Sequence, residues 1–255
     1  MTQNMKGRIV IVTGGTKGIG RAAALTLSRQ GAVVVVTGRD AKGGSETARL
    51  VKESGGDGAY MPHDVASEAD WESVIAETEK QFGALSALVN NAGVFFVKPL
   101  AETTEADFDW AYSVNVEGTF LGIKHAFRAF ARGKTAGSIV NVSSLMGQVG
   151  YPNAIAYCAS KGAITSMTKA AALEGAAMSP RVRVNSLHPG VIWTPMITDT
   201  FGDNQELADA FAADTPLRMI GRPEYIADAI HYLVSDDASY VTGAELTVDG
   251  GRGAD

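Results

Sequence analysis

A run of β-branched residues, Arg8-Ile9-Val10-Ile11-Val12-Thr13, stops abruptly against Gly14-Gly15 and leads through Gly18 into a helical pattern from Ile19 to Gln30. Apolar residues on both faces of so short a run describe a strand covered on both sides, as inside a parallel sheet. A strand handed by glycines to a helix opens a βα unit, and the pattern then repeats. Ala32–Thr37 reads as a second buried strand, Ala41–Ser54 as a helix and Gly58–Pro62 as a third strand. Glu68–Phe82 is helical, with Ser67 as N-cap and Gly83 just past its end, and Leu85–Asn90 is a fourth strand. Helical patterning runs from Thr104 to Arg132 with Gly118 as a soft point, followed by a strand at Gly137–Ser143. An Ala-rich helix at about Asn153–Met178 and a strand at Arg181–Leu187 come next. Pro189–Thr215 is the least regular stretch, and a helix at Pro223–Leu233 and a strand at Glu245–Val248 close the chain. Such alternation predicts the α/β class: a Rossmann-type, doubly wound parallel sheet of about seven strands with helices on both faces.

The turn Thr13-Gly14-Gly15-Thr16-Lys17-Gly18-Ile19-Gly20 sits where the first strand meets the first helix. Glycines there permit a tight turn and close backbone approach, while the helix N-terminus presents free amides and partial positive charge to a pyrophosphate. Gly14, Thr16, Lys17, Gly18, Ile19 and Gly20 are therefore candidate dinucleotide-binding residues. The end of strand two, Val36-Thr37-Gly38-Arg39-Asp40, bears on which dinucleotide. Gly38 leaves space and Arg39 offers a fork for a phosphate, with Lys17 as a second positive charge. This corner favours NADP(H), with NAD(H) as the alternative. An acid about twenty residues past the glycines is the ribose ligand of NAD-binding chains. Asp40 lies one or two positions too late for that role and is expected to turn to solvent. Arg39 also has the plain reading of ordinary surface charge. No linker or repeat divides the chain, so residues 1–255 are expected to form one dinucleotide-binding and catalytic domain, with a substrate loop at about 189–215.

Tyr157 and Lys161 stand four apart in the Ala-rich helix and so share one face of it. A phenol is a poor acid or base at neutral pH, and a neighbouring ammonium favours the phenolate, lowering its pKa toward the working range. Ser144, thirteen positions before the tyrosine, would hold a carbonyl or hydroxyl oxygen while Tyr157 moves the proton. Taken alone, such a pair is more often plain amphipathic surface.

A net charge of −6 and a pI near 5.3 argue against a nucleic-acid surface and against an anionic membrane. The lone Cys158 excludes an internal disulfide framework, and no apolar stretch approaches the ~20 residues of a bilayer span. With no leader-like segment ahead of the first strand, a soluble, cytoplasmic protein is expected.

Across essentially its whole length the chain resembles the short-chain dehydrogenase/reductase family. The pieces that carry the resemblance occur in family order: Thr13-Gly14-x-x-x-Gly18-x-Gly20, Asn90-Asn91-Ala92-Gly93, Asn115, Asn141-Val142-Ser143-Ser144, Tyr157-x-x-x-Lys161 and Pro189-Gly190-Val191-Ile192-Trp193-Thr194. The resemblance implies Tyr157 as general acid in reduction and base in oxidation. Lys161 would lower its pKa and hold the nicotinamide ribose, and Ser144 would orient the substrate oxygen. Asn115 would anchor a water that relays protons to Lys161; its other reading is an Asn that caps or kinks its helix beside Gly118. Asn91, Ala92 and Gly93 would lie against the adenosine end, and Asp64, with Val65 beside it, would accept from the adenine amine. His63 is expected to be structural. Pro189, Gly190, the Ile192 backbone and the Thr194 hydroxyl would pin the nicotinamide carboxamide. No metal is implied in the site, and a homotetramer is. Helices Thr104–Arg132 and Asn153–Met178 are candidates for one interface, and Tyr225–Val248 for the other.

Substrate identity rests on the irregular segments. Phe95, Leu145, Met146, Tyr151, Trp193 and Met196, together with Phe96 and Phe201, are candidates for a mostly apolar pocket, about half of them facing it. No Arg or Lys stands among them, which weakens an acyl-carrier or CoA-linked substrate. The resemblance is to bacterial NADP-dependent secondary-alcohol dehydrogenases and carbonyl reductases. The expected activity is thus hydride transfer between NADP(H) and a hydrophobic ketone or secondary alcohol. A hydroxysteroid or cyclic-alcohol dehydrogenase is the second reading and a 3-oxoacyl thioester reductase the third. From another class, a non-catalytic NADP-binding regulator would need only the binding half.

Overall fold

The computed structural model describes residues 4–254. Strands β1 (Ile9–Thr13), β2 (Val33–Gly38), β3 (Asp57–Pro62), β4 (Ala87–Asn90), β5 (Gly137–Val142), β6 (Val182–Pro189) and β7 (Glu245–Val248) form one sheet in the order β3-β2-β1-β4-β5-β6-β7. Every pairing is parallel. The period-2 alternation of a strand divides β1 between two cores. Val10 and Val12, with Val34 and Val36, pack under α1 (Gly18–Arg29) and the late helix Pro223–Val234, through residues such as Leu27, Ile226 and Ile230. Ile9 and Ile11, with Val35, Leu88 and Ile139, face the other way onto Trp71 and Phe130. These belong to helices Glu68–Phe82 and Gly118–Gly133. The doubly wound class expected from alternation is thus observed, and β1 and β4 meet at the centre, where the strand order reverses and such sheets bind ligands.

Taken in chain order, the helices are α1, α2 (Ala41–Glu53), α3 (Glu68–Phe82), α4 (Glu105–Tyr112), α5 (Gly118–Gly133), α6 (Ile155–Ala177), α7 (Pro195–Phe201), α8 (Gln205–Ala213) and α9 (Pro223–Val234). Ser67 caps α3 by accepting from Asp70 N, and Thr104 and Asp107 form a reciprocal capping box at α4. Two features depart from the sequence expectation. The stretch Thr104–Arg132 is two helices joined by a wide π-helical turn, Ser113–Glu117. Gly118 is no soft point, because a Cβ there would lie 2.8 Å from Val65 Cγ2, so a glycine lets α5 approach that loop. The irregular stretch Pro189–Thr215 contains α7 and α8, both short and without a fully buried residue. Their residues belong to neither core, and Phe201 of α7 meets Phe211 of α8 edge-on at 5.7 Å.

Candidate active site

The glycine turn is built by close approach. Gly14 (φ 62°) and Gly18 (φ 54°) adopt left-handed backbone, and a Cβ on Gly14 would lie 2.8 Å from Ala92 Cα. On Gly20 it would lie 2.3 Å from Gly14 O, which holds α1 against the turn. Thr13 Oγ1 accepts from both Asn91 N and Ala92 N at 3.0 Å, and Asn91 Nδ2 donates to Thr13 O at 2.9 Å. The ends of β1 and β4 are thereby laced together at the switch point. Around this crossing a cleft is walled by Gly14, Thr16, Lys17, Gly18 and Ile19 on one side and Asn91, Ala92 and Gly93 on the other. Gly38, Arg39, Asp64 and Val65 line its outer end, and Thr194 and Met196 lean over it.

At that outer end Arg39 is exposed and makes no hydrogen bond with the described residues. Asp40 is committed elsewhere: it caps α2, accepting from Gly43 N at 3.0 Å. Lys17 Nζ lies 3.5 Å from Asp199 Oδ2, an exposed pair across to α7. Asp64 Oδ1 accepts from Ala66 N at 3.1 Å. His63 is buried edge-on to Trp71, its Nδ1 3.0 Å from Thr37 Oγ1. Burial pushes it down to about 4, so it is neutral. The start of α1 carries neither a side-chain cap nor an acidic residue in its first turn, so its amides remain free for an anion. A glycine-rich cradle, an uncapped helix start and a free guanidinium at the far end fit a phosphorylated dinucleotide.

The second half of the cleft holds the expected constellation. Ser144 follows β5, and Tyr157 and Lys161 face it from one side of α6, each less than one-tenth exposed. Lys161 Nζ donates to Val142 O at 2.9 Å and sits 5.5 Å from the centre of the Tyr157 ring. Burial pushes Tyr157 up to about 12, the nearby Ser144 hydroxyl, which itself accepts from Met146 N at 3.1 Å, opposing it. The expectation that Lys161 lowers the tyrosine is not met in the chain by itself. The ammonium is turned to the Val142 carbonyl, and desolvation of both groups dominates. The same burial pushes Lys161 down to about 8.

Asn115 lies in the π-helical turn, fully buried. Its Oδ1 accepts from Val94 N at 2.8 Å, and its Nδ2 donates to Val94 O and to Ser160 Oγ, each at 3.0 Å. The side chain thus pins the segment after β4 to α6. Gly93 lies between the two polar groups, since a Cβ there would be 3.1 Å from Asn115 Oδ1 and 3.5 Å from Lys161 Nζ.

Phe95, Leu145, Met146, Tyr151 and Met196 all reach the cavity above Ser144 and Tyr157, with Pro189, Gly190, Ile192 and Thr194 at its floor. Phe95 meets the Tyr157 ring edge-on at 4.8 Å and lies 6.0 Å from Phe201. Trp193 does not line it. Ile192 pairs with Gly221 in a single bridge and turns into the cavity, so the next residue in extended chain points the opposite way. Phe96, by the same alternation after Phe95, packs against Trp110 at 5.9 Å.

Two contributors lack a local sequence signature. His188 is fully buried with Nδ1 3.0 Å from Ser144 O and Nε2 2.9 Å from Ser186 Oγ, so it holds the serine backbone. Arg252, from the tail after β7, lines the cavity and corrects the expectation that no Arg or Lys stands there. The wall is otherwise extended by Val149, Val191 and Ile197.

Among known proteins, the family described as enoyl-(acyl carrier protein) reductase matches residues 14–252. An NADP-dependent (R)-specific alcohol dehydrogenase from Lentilactobacillus kefiri is 41% identical over 253 residues, 98% of this chain and 98% of the relative. Cyclopentanol dehydrogenase from Comamonas testosteroni is 39% identical over 248 residues, 96% of each chain. The crystal structure of levodione reductase superposes with a TM-score of 0.92 at 31% identity, covering 98% of this chain and 99% of that one. Likeness over nearly the whole length, on a sheet and cleft of this construction, establishes that the chain belongs to the short-chain dehydrogenase/reductase family.

Proposed function

We propose that the protein transfers a hydride between NADP(H) and a hydrophobic ketone or secondary alcohol. One observation carries this reading: the glycine-turn cleft and the Ser144–Tyr157–Lys161 cavity are continuous, sharing Ile19, Asn91, Gly93, Thr194 and Met196. The nicotinamide supplies the hydride when bound. Tyr157 gives the proton to the new alkoxide in reduction and takes it back in oxidation. Ser144 holds the substrate oxygen beside it, and the Lys161 ammonium stabilises the phenolate as it forms. Asn115 keeps Gly93-Val94 and α6 in register around Lys161, and His188 positions Ser144. The Ile192 backbone and the Thr194 hydroxyl would hold the carboxamide, and Gly14 to Gly20 the pyrophosphate.

Arg39 is proposed to set the preference for NADP(H), with Lys17 in support. The relative named as NADP-dependent and the absence of a partner for Arg39 among the described residues support this. Arg39→Ala is expected to raise the KM for NADPH about tenfold, as loss of one charge-assisted contact, with little change for NADH. Faster turnover of the unaltered enzyme with NADH would remove the assignment. The reaction itself is tested by nicotinamide absorbance with a panel of aliphatic, aryl, cyclic, steroid and 3-oxoacyl thioester ketones. Binding of NADPH without turnover of any of them would favour the regulator over the enzyme. The similarity to cyclopentanol dehydrogenase supports cyclic alcohols as the second reading.

The arrangement of all seven strands in one sheet supports a single domain over residues 1–255, with the segment at about 189–215, which carries α7 and α8, as its substrate loop. Among the described residues no helix is long and apolar enough to cross a membrane. The free Cys158 supports a reducing, cytoplasmic setting. A homotetramer is supported by exposed apolar side chains in two groups: Trp110, Tyr112, Phe120 and Leu173 on α4 to α6, and Tyr232 and Tyr240 near β7.

A further inference from the structure

The tail that brings Arg252 into the cavity is seated by specific contacts. Asp249 accepts from Gly251 N at 2.9 Å and from Gly253 N at 2.7 Å. A Cβ on Gly253 would lie 2.5 Å from Leu145 Cδ1, so the tail rests directly on the residue that follows Ser144. Arg252 therefore enters the wall on the serine side. Its guanidinium pairs with Asp214, at the end of α8, and its side chain is about one-fifth exposed where that of Asp214 is mostly so. A guanidinium has five N–H donors, and among the described residues Asp214 is its only partner. Its charge is thus balanced from the solvent side while donors remain for the cavity. Apart from Lys161, which is turned to Val142, it is the one cation on this wall.

We propose that Arg252 is a specificity-determining residue that donates hydrogen bonds to a second, uncharged oxygen of the substrate. The chain would then prefer 3-oxo esters and diketones to hydrocarbon ketones of the same length. The inference rests on the ketone-reductase reading. Uncharged acceptors are favoured because Asp214 already balances the guanidinium and would repel a carboxylate placed beside it.

The test compares kcat/KM, with NADPH, for ethyl 3-oxobutanoate and 2-heptanone, which match in chain length. Arg252→Met, which keeps the bulk and removes the donors, is expected to lower the ester-to-ketone ratio about tenfold, mainly through the KM for the ester. Arg252→Gln, which keeps uncharged donors, should retain part of the preference. Asp214→Asn should keep it and additionally admit the 3-oxobutanoate anion. An unchanged ratio in Arg252→Met, or equal losses for both ketones in Met and Gln variants alike, would overturn the assignment and leave only a seat for the tail. Failure of the unaltered enzyme to reduce either of these ketones while it turns over others of the panel would overturn this inference alone, and failure with the whole panel would overturn the reductase reading and this inference with it.

Discussion

Tyr157→Phe is expected to lower kcat for ketone reduction by about 10³-fold, within the range that a positioned general acid contributes. The variant keeps the ring that Phe95 meets edge-on at 4.8 Å and removes only the hydroxyl on the Ser144 side, so fold and dinucleotide affinity should survive. Retention of more than a tenth of the turnover would remove Tyr157 from its role and shift attention to Ser144. A pH profile sharpens the test. With burial holding Tyr157 at about 12 in the chain by itself, the phenol keeps its proton throughout the ordinary range. The acid form needed for reduction is therefore always present, and the limiting group is Lys161. As pH rises through about 8 the ammonium loses its proton, and with it the charge that stabilises the forming phenolate. Reductive kcat/KM should accordingly be level below that point and fall above it.

Lys161→Met is expected to abolish turnover and yet raise stability. The folded chain holds this lysine at about 8 against an ordinary 10.5. Between those values the unfolded chain binds more protons than the folded one, so stability from this group rises with pH across the window. Below about pH 8 the full penalty of the buried ammonium is present, about 3 kcal/mol from the size of the shift. Removing it forfeits the hydrogen bond to Val142 O, about 1 kcal/mol, leaving a net gain near 2 kcal/mol and a rise in Tm of about 5 °C at neutral pH. Thermal melts at pH 7 and pH 10 decide it: the gain should shrink at the higher pH. A lower Tm for the variant at pH 7 would mean that the ammonium is better solvated by its surroundings than its burial implies. A cost to the fold is what a buried ammonium kept for a proposed catalytic role predicts.

Much of this site was legible in the chain because its signals are local. The glycine turn is read from a strand that stops at Gly14 and a helix that starts at Gly18, and both residues do take left-handed backbone. The pairing of Tyr157 with Lys161 follows from helical spacing alone. Asn115 was identifiable as a residue of interest only through family resemblance, since nothing in Ser113-Val114-Asn115-Val116-Glu117 announces a π-helical turn. Within that turn the Asn115 side chain reaches the backbone of Val94 and the hydroxyl of Ser160, partners from distant parts of the chain. The pocket shows the same division. Phe95 and Phe96 look alike in sequence, and the direction of one extended segment decides that the first meets Tyr157 and the second Trp110. Trp193 is excluded for the same reason.

Periodicity and turn chemistry, which act over a few residues, determined the α/β class, the strand that ends in a phosphate-type cradle, and the Tyr–Lys face. Tertiary structure decided the electrostatics and the walls. It turned Lys161 to Val142 O, pushed Tyr157 upward by burial, set His188 behind Ser144, and carried Arg252 from beyond β7 into the wall of the cavity above Ser144 and Tyr157. Burial and cross-chain contacts are properties of the packed molecule, and a charge or a phenol has no fixed pKa until that packing sets what surrounds it.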